Sequence, residues 1–165
     1  MDSSHIDFAT EADLPAMATL LGELFSLESD FSADRDKQMA GLKLILENPA
    51  SGRLFVLRVN GEVGGMANAL FTISTAAGGR VVLLEDVIVR AGLRGQGHGR
   101  RLVRRVMDWA QSEGATRVTL LMDADNAAAL AFYGRLGFAP SGMRVLRCAL
   151  GEQRAAPSGA ADLSR

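Results

Sequence analysis

The chain has 165 residues, about one domain's worth at roughly 150 residues per compact unit, and is 48% hydrophobic and 22% charged. That composition supports a buried core and excludes a disordered chain. Eighteen basic residues against nineteen acidic ones leave a formal net charge of -1, which argues against a general nucleic-acid binder.

Ile6 to Ala9 predicts a short opening strand. Thr10 to Asp13 follows as a helix start, with Thr10 as the cap and Asp13 as the answering acid. Leu14, Met17, Leu20, Leu21, Leu24 and Phe25 then recur at helical spacing and form one apolar stripe. A polar interval from Ser26 to Asp36 leads into a second helical face of Met39, Leu42 and Leu46, stopped at Asn48-Pro49. Leu54 to Val59, Asn60-Gly61 and the run from Glu62 form a hairpin signal, because Asn-Gly suits the two positive-φ positions of a type I′ turn. The second strand of that hairpin continues through Met66, Leu70 and Ile73 to a turn at Thr75 to Gly79. Val81 to Val89 is a nearly continuous apolar strand, central and buried on both faces, that carries Glu85 and Asp86. The clearest amphipathic helix runs from Gly99 to Gln111, with Leu102, Val103, Val106, Met107 and Ala110 on its apolar face and Arg101, Arg104, Arg105 and Asp108 opposite. Arg117 to Met122 predicts another strand, Asn126 to Leu136 another helix, and Met143 to Leu150 a last strand holding Cys148 as a small core residue. Residues 1–150 read as one domain and residues 151–165 as a tail without periodicity.

A single cysteine cannot form an intrachain disulfide or a cysteine-based zinc site, which fits a reducing compartment, so the expected location is cytoplasmic. His5 and His98 stand far apart with no carboxylate at helical ligand spacing, and no metal site is expected. The start lacks a signal-peptide pattern and no stretch approaches about 18 uninterrupted apolar residues, so no membrane partner is expected either.

Arg94-Gly95-Gln96-Gly97-His98-Gly99, placed between a strand and a helix, is a setting in which main-chain N–H groups converge on an anion. The run lacks the Gly-Lys-Ser/Thr ending of a P-loop, and the third glycine of a dinucleotide fingerprint would fall on Arg100. Between Arg90 and Arg105 there are six arginines and no acid, a charge pattern that suits phosphates, although Arg101, Arg104 and Arg105 also fit a solvated helix face.

Arg-x-x-Gly-x-Gly at Arg94 to Gly99 follows Leu84-Glu85-Asp86-Val87-Ile88-Val89 and precedes Asn126 and Phe132-Tyr133-x-x-x-Gly137-Phe138. In this order the motifs resemble the GNAT superfamily of acyl-CoA-dependent N-acetyltransferases, over most of the chain from Ile6 to Leu150. The resemblance implies an α/β (α+β) fold with a mixed, mostly antiparallel sheet of six to seven strands, splayed at the middle and flanked by about four helices. The implied topology is βααβββαβαβ. It also implies acetyl-CoA as co-substrate and no metal, with the main chain of Val87, Ile88 and Val89 along the pantetheine arm. The pyrophosphate then lies on the amides of Arg94, Gly95, Gln96, Gly97, His98 and Gly99, where His98 is an exposed residue whose backbone matters. Asn126 is implied near the pantetheine and Tyr133 near the sulfur, while Asn126 fits a helix N-cap equally well.

Acetylating an amine needs a base, because a protonated alkylamine has a pKa of about 10. Glu85 is the expected base: desolvation inside an apolar strand would raise its pKa, regular alternation lets only one of Glu85 and Asp86 face a given cleft, and the position that the resemblance implies favours Glu85. The alternative is a buried carboxylate paired with an arginine. Tyr133, the only tyrosine, is the expected general acid for the departing thiolate, with a core aromatic as the alternative. With Cys148 far in sequence from a histidine, direct attack of the amine on the thioester is expected. From Gly22 to Asp36 five acids, Glu23, Glu28, Asp30, Asp34 and Asp36, face one base, Arg35, a bias that suits a cationic small-molecule amine. A protein lysine or N-terminal acetyltransferase and a non-catalytic acyl-CoA-binding module remain as alternatives, and the family resemblance makes a homodimer an expectation.

Overall fold

The computed structural model describes residues 3–28 and 32–151. Its elements run β1 (Ser4–Phe8), α1 (Leu14–Leu27), α2 (Arg35–Glu47), β2 (Gly52–Val59), β3 (Glu62–Ser74), β4 (Gly79–Val89), α3 (His98–Ser112), β5 (Val118–Leu120) and α4 (Ala127–Gly134). The strands form one sheet in the order β1-β2-β3-β4-β5, antiparallel except for the β4–β5 pair. Asn60 and Gly61 take φ of 52° and 86°, so the two-residue turn that the dipeptide favours joins β2 to β3 as expected.

Each face of the sheet is sealed by helices. Leu14, Met17, Leu20 and Leu21 of α1 and Leu42 of α2 bury against Leu54, Val56, Met66 and Ile88. On the other face Leu102, Val103, Val106 and Trp109 of α3 cover Phe55, Ala67, Ala69, Val82 and Leu84, with the Trp109 ring 5.4 Å from Phe55 and 4.9 Å from Phe71. In β4, Val82 and Leu84 face α3 whereas Ile88 faces α1 and α2, although all three are even-numbered positions of one strand. A register shift explains this. Asn68 pairs with Asp86 and Ala69 with Leu84, so Glu85 is an extra residue, and the side chains beyond it swap faces.

Two expectations are corrected. Five strands form the sheet among the described residues, and the segment read as a last strand, residues 143–150, has no ladder partner. Met143, Leu146 and Leu150 are 89%, 93% and 97% exposed and Cys148 is exposed as well, so this cysteine is no core residue. Alternating apolar residues become a strand only where an edge pairs with them and a core takes one face, and β5 offers an edge of three residues. The tail beyond Gly151 lies outside the described residues, as does Asp30.

Thr10 and Asp13 form the expected capping pair, here around a 3-10 turn (Glu11–Asp13) that leads into α1. Asp13, 5% exposed, accepts from Thr10 N–H at 2.8 Å and takes both arms of the Arg58 guanidinium at 2.9 and 2.8 Å. Burial pushes its carboxyl up, but the hydrogen bonds from Arg58 and Thr10 outweigh that and hold it below the usual range. The stabilisation is therefore complete above the ordinary carboxylate pKa and drains away as pH falls through the lowered native value. Asp13→Asn is expected to cost about 3 kcal/mol in urea unfolding at pH 7, and its deficit relative to the parent is expected to shrink below about pH 4.

Candidate functional site

The site begins where β4 leaves β5. Their pairing ends at Leu84 opposite Leu120, while β4 stays on β3 as far as Val89 opposite Gly65. Arg90 N–H donates to Gly64 O at 2.8 Å, so alternation turns the main-chain groups of Val87 and Val89 away from β3, into the gap. Arg94 Nε donates to Val89 O at 2.8 Å, in agreement. Of the three residues expected to offer their main chain here, Ile88 turns its groups to β3 and Val87 and Val89 line the open edge.

Beyond β4 the chain makes the glycine turn and enters α3. Gly95 and Gly97 sit at φ of 77° and 81°, a region that side chains with a Cβ disfavour. The helix ladder starts with Arg101 N–H donating to Gly97 O at 3.1 Å, which leaves the preceding N–H groups pointing out of the helix start. The geometry suits an anion. Arg94 is exposed and braces the loop through Val89 O; Gln96 reaches back to Gly92 O at 3.3 Å. His98 departs from its expected exposure: as the first residue of α3 it is 7% exposed, with Nδ1 buried and unpartnered.

Most of the local arginines already have work. Arg90 donates to Val63 O at 2.7 Å, Arg101 holds Ser4 Oγ at 2.6 Å, and Arg105 stacks 5.4 Å from the Phe8 ring centroid. Arg100 and Arg104 are exposed and have no protein partner among the described residues.

At the bulge of β4 lies a cavity of about 690 Å³ lined by Glu28, Glu85, Asp86 and Asp123, with Arg147 as the cation. Regular alternation would have let one of Glu85 and Asp86 face a given cleft. The register shift overturns this, and both line the cavity. The burial expected of Glu85 falls instead on Asp86: Glu85 is exposed at the bulge, whereas burial pushes Asp86 up to about 6, against the lowering effect of Asn68 and with help from the charge of Glu85. Glu28, at the end of α1, is raised first by burial and then by the charges of Asp86 and Asp123.

A second cavity, about 290 Å³, lies between α1 and α2 and shares Phe25 and Asp86 with the first. Asn68 and Gln38 line it. Both are buried, at 5% and 8% exposure; Asn68 Nδ2 donates to Asp86 Oδ2 at 3.1 Å, while Asn68 Oδ1 and Gln38 Nε2 have no partner among the described residues. Each such orphan costs roughly 1–3 kcal/mol in a protein interior. Neither residue, nor Asp123, stands in a motif that marks it in the sequence. A lone polar residue inside Met66-Ala67-Asn68-Ala69-Leu70 was the available signal.

Asn126 caps α4, accepting from Ala129 N–H at 2.9 Å, so one of its two readings is realised in the structure. Tyr133 is half-buried, its ring centroid 5.0 Å from Phe132 and 5.6 Å from Phe138, and burial followed by the charge of Glu28 pushes its phenol up to about 12. It packs with the cluster under α3 and is not among the residues lining the acidic cavity.

Residues 15–138 match the acetyltransferase (GNAT) family, and the chain belongs to that family. It is 32% identical over 139 residues to the uncharacterized N-acetyltransferase YobR of Bacillus subtilis, covering 84% of this chain and 52% of that protein. It is 36% identical over 95 residues to streptothricin acetyltransferase of Streptomyces lavendulae, covering 57% of this chain and 48% of the relative. The chain thus spans about half the length of these two relatives. In fold it is similar to aminoglycoside N-acetyltransferase AAC(6')-Iy in complex with CoA, with a TM-score of 0.78 at 19% identity over 90% of this chain and 96% of that one. Glucosamine-6-phosphate N-acetyltransferase from Arabidopsis thaliana gives a TM-score of 0.71 at 19% identity over 88% and 98%.

A carboxyl raised on folding stabilises the native state below its unfolded pKa, and that contribution is lost as pH rises through the native value. Between about pH 4 and pH 6 the parent is therefore expected to lose stability on account of Asp86. Asp86→Asn removes this loss, and its thermal midpoint is expected to exceed the parent's at pH 8 by more than at pH 4.

Proposed function

We propose that this protein transfers an acetyl group from acetyl-CoA to a primary amine of a small cationic molecule by direct attack, without an acyl-enzyme. The observation that carries this reading is the carboxylate pair at the bulge of β4, set beside the open main-chain edge of the same strand and one turn ahead of the glycine loop. Family membership supports it, as do the names of relatives and neighbours that act on streptothricin and aminoglycosides.

The residues present fit acetyl-CoA. Val87 and Val89 offer an edge to which an extended, amide-bearing arm can pair as a strand would. N–H groups of residues 95–99 suit a pyrophosphate, and Arg100 and Arg104 are the guanidiniums free to reach a further phosphate. Asn126 keeps its amide nitrogen for the arm while its oxygen caps α4. When bound, the thioester supplies an activated acetyl carbon.

Asp86 takes the proton from the ammonium group. Its pKa of about 6 keeps it ionised at neutral pH yet basic enough to accept, and Glu85, exposed at the rim, hands the proton on to water. This divides between two residues the role expected of Glu85 alone. The freed amine forms its bond to the carbonyl carbon as the carbon–sulfur bond breaks, its surplus N–H proton passes to the departing thiolate so that CoA leaves as the thiol, and Val87 N–H stabilises the carbonyl oxygen. Tyr133, at about 12, stays protonated; full transfer to a thiolate of reference pKa about 8.5 would cost about 5 kcal/mol, so it acts by donating a hydrogen bond to the sulfur as charge develops. One proton is released per acetyl group moved.

The test is thiol release from acetyl-CoA over a panel of small amines, with mass spectrometry of the products. The parent's kcat/KM is expected to fall on the acid side with an apparent pKa near 6. Asp86→Asn should lose roughly 100-fold or more and Glu85→Gln less than about 10-fold. A larger loss at Glu85 would return the base to that residue, and absence of turnover across the panel would remove the reading. Tyr133→Phe is expected to lower kcat while the calorimetric Kd for acetyl-CoA stays within about twofold.

A further inference from the structure

The acidic cavity accounts for an ammonium group and leaves the second cavity without a purpose. We propose that the space between α1 and α2 holds the body of the acceptor and selects an amine whose hydrocarbon chain ends in a carbonyl-type hydrogen-bond acceptor. The inference rests on the acetyl-transfer reading for the direction in which the amine points.

The two ends of the cavity differ in chemistry. At the sheet, the Asp86 carboxylate and Asn68 Oδ1 are both acceptors, and they suit the N–H groups of an amine. At the α2 end Gln38 Nε2 is a donor without a partner among the described residues, in a residue only 8% exposed. It lies 4.0 Å from where a Cβ on Gly22 would stand, so at that point α1 presents backbone and no side chain that could accept from it. Between the ends the walls are Leu21, Leu42 and Ile45, which favour methylene groups. At the mouth, Lys37 and Asp34 pair with each other at 3.7 Å, so neither charge dominates the entrance.

A carbonyl oxygen satisfies Gln38. An alkyl end leaves that donor unpaired, and a second ammonium sets donor against donor. The site therefore discriminates by what stands at the far end of the chain and not by positive charge alone. Long polyamines, which the acidic cavity by itself would welcome, are the disfavoured class.

The experiment compares hexylamine, 1,6-diaminohexane and 6-aminohexanamide as acceptors in the thiol-release assay, with calorimetric binding of 6-aminohexanamide to the full chain in the absence of acetyl-CoA. The carboxamide is expected to exceed the other two in kcat/KM by about tenfold. Gln38→Met, which keeps length and removes the donor, should bring the ratio to about one, and Gln38→Glu should turn the preference toward the diamine. Equal kcat/KM for the three amines on the parent, a ranking that needs no variant to fold, overturns the proposal. So does a preference that survives in folded Gln38→Met. Binding of the carboxamide that Gln38→Met abolishes, with no acetylation, would keep this site and remove the acetyl-transfer reading. Acetylation without discrimination would do the reverse, and neither binding nor turnover would remove both.

Discussion

One extra residue in β4 governs the working half of this molecule. Up to Leu84 the strand sits between β3 and β5 and points its even-numbered side chains at α3. At Glu85 the register slips, the partner on one side ends, and the even-numbered side chains turn to α1 and α2. The same slip exposes Glu85, half-buries Asp86 beside Asn68 and leaves the main chain of Val87 and Val89 facing a gap. Without it, Asp86 would point into the apolar layer under α3, where an ionised carboxylate has no partner. The bulge is thus what lets two consecutive acids exist in so apolar a strand.

The buried polar groups divide into two kinds. Asp13 and Arg58 are fully matched, with the guanidinium fork meeting both carboxylate oxygens, and they tie the entrance of α1 to β2 far from the cavities. Asn68 and Gln38 each keep a polar atom without a partner among the described residues, and they stand at opposite ends of the second cavity. A folded chain keeps such unsatisfied groups at a cost in stability; two of the three found among the described residues line one cavity, and the third, His98 Nδ1, lies at the start of α3.

Much of the architecture was legible. Asn60-Gly61 specified its turn because few other pairs accept two positive φ values, and the 3.6-residue pattern of α3 was strong enough to place its buried face, with Trp109 as an addition. What failed depended on partners distant in sequence. Nothing in Leu84-Glu85-Asp86-Val87 announces a shifted register, since a bulge is settled between strands, and period-2 counting therefore put the two acids on opposite faces where the structure turns both to one cavity. Residues 143–150 alternate like a strand and find no edge long enough to pair with. His98 looked like loop surface because its neighbours are glycines, yet the start of α3 turns it inward.

The arginines of the loop and α3 carry a consequence for how this surface meets ions. Six guanidiniums in sixteen positions suggest a strongly attractive patch, but Arg90, Arg94, Arg101 and Arg105 are committed to carbonyls, a hydroxyl or aromatic rings. On the proposed reading, holding an anion falls mainly to oriented peptide dipoles at the helix start, which act within a few ångströms and are shielded little by dissolved electrolyte. Such a grip persists at ionic strengths that would dissolve an attachment made by mobile side-chain charges.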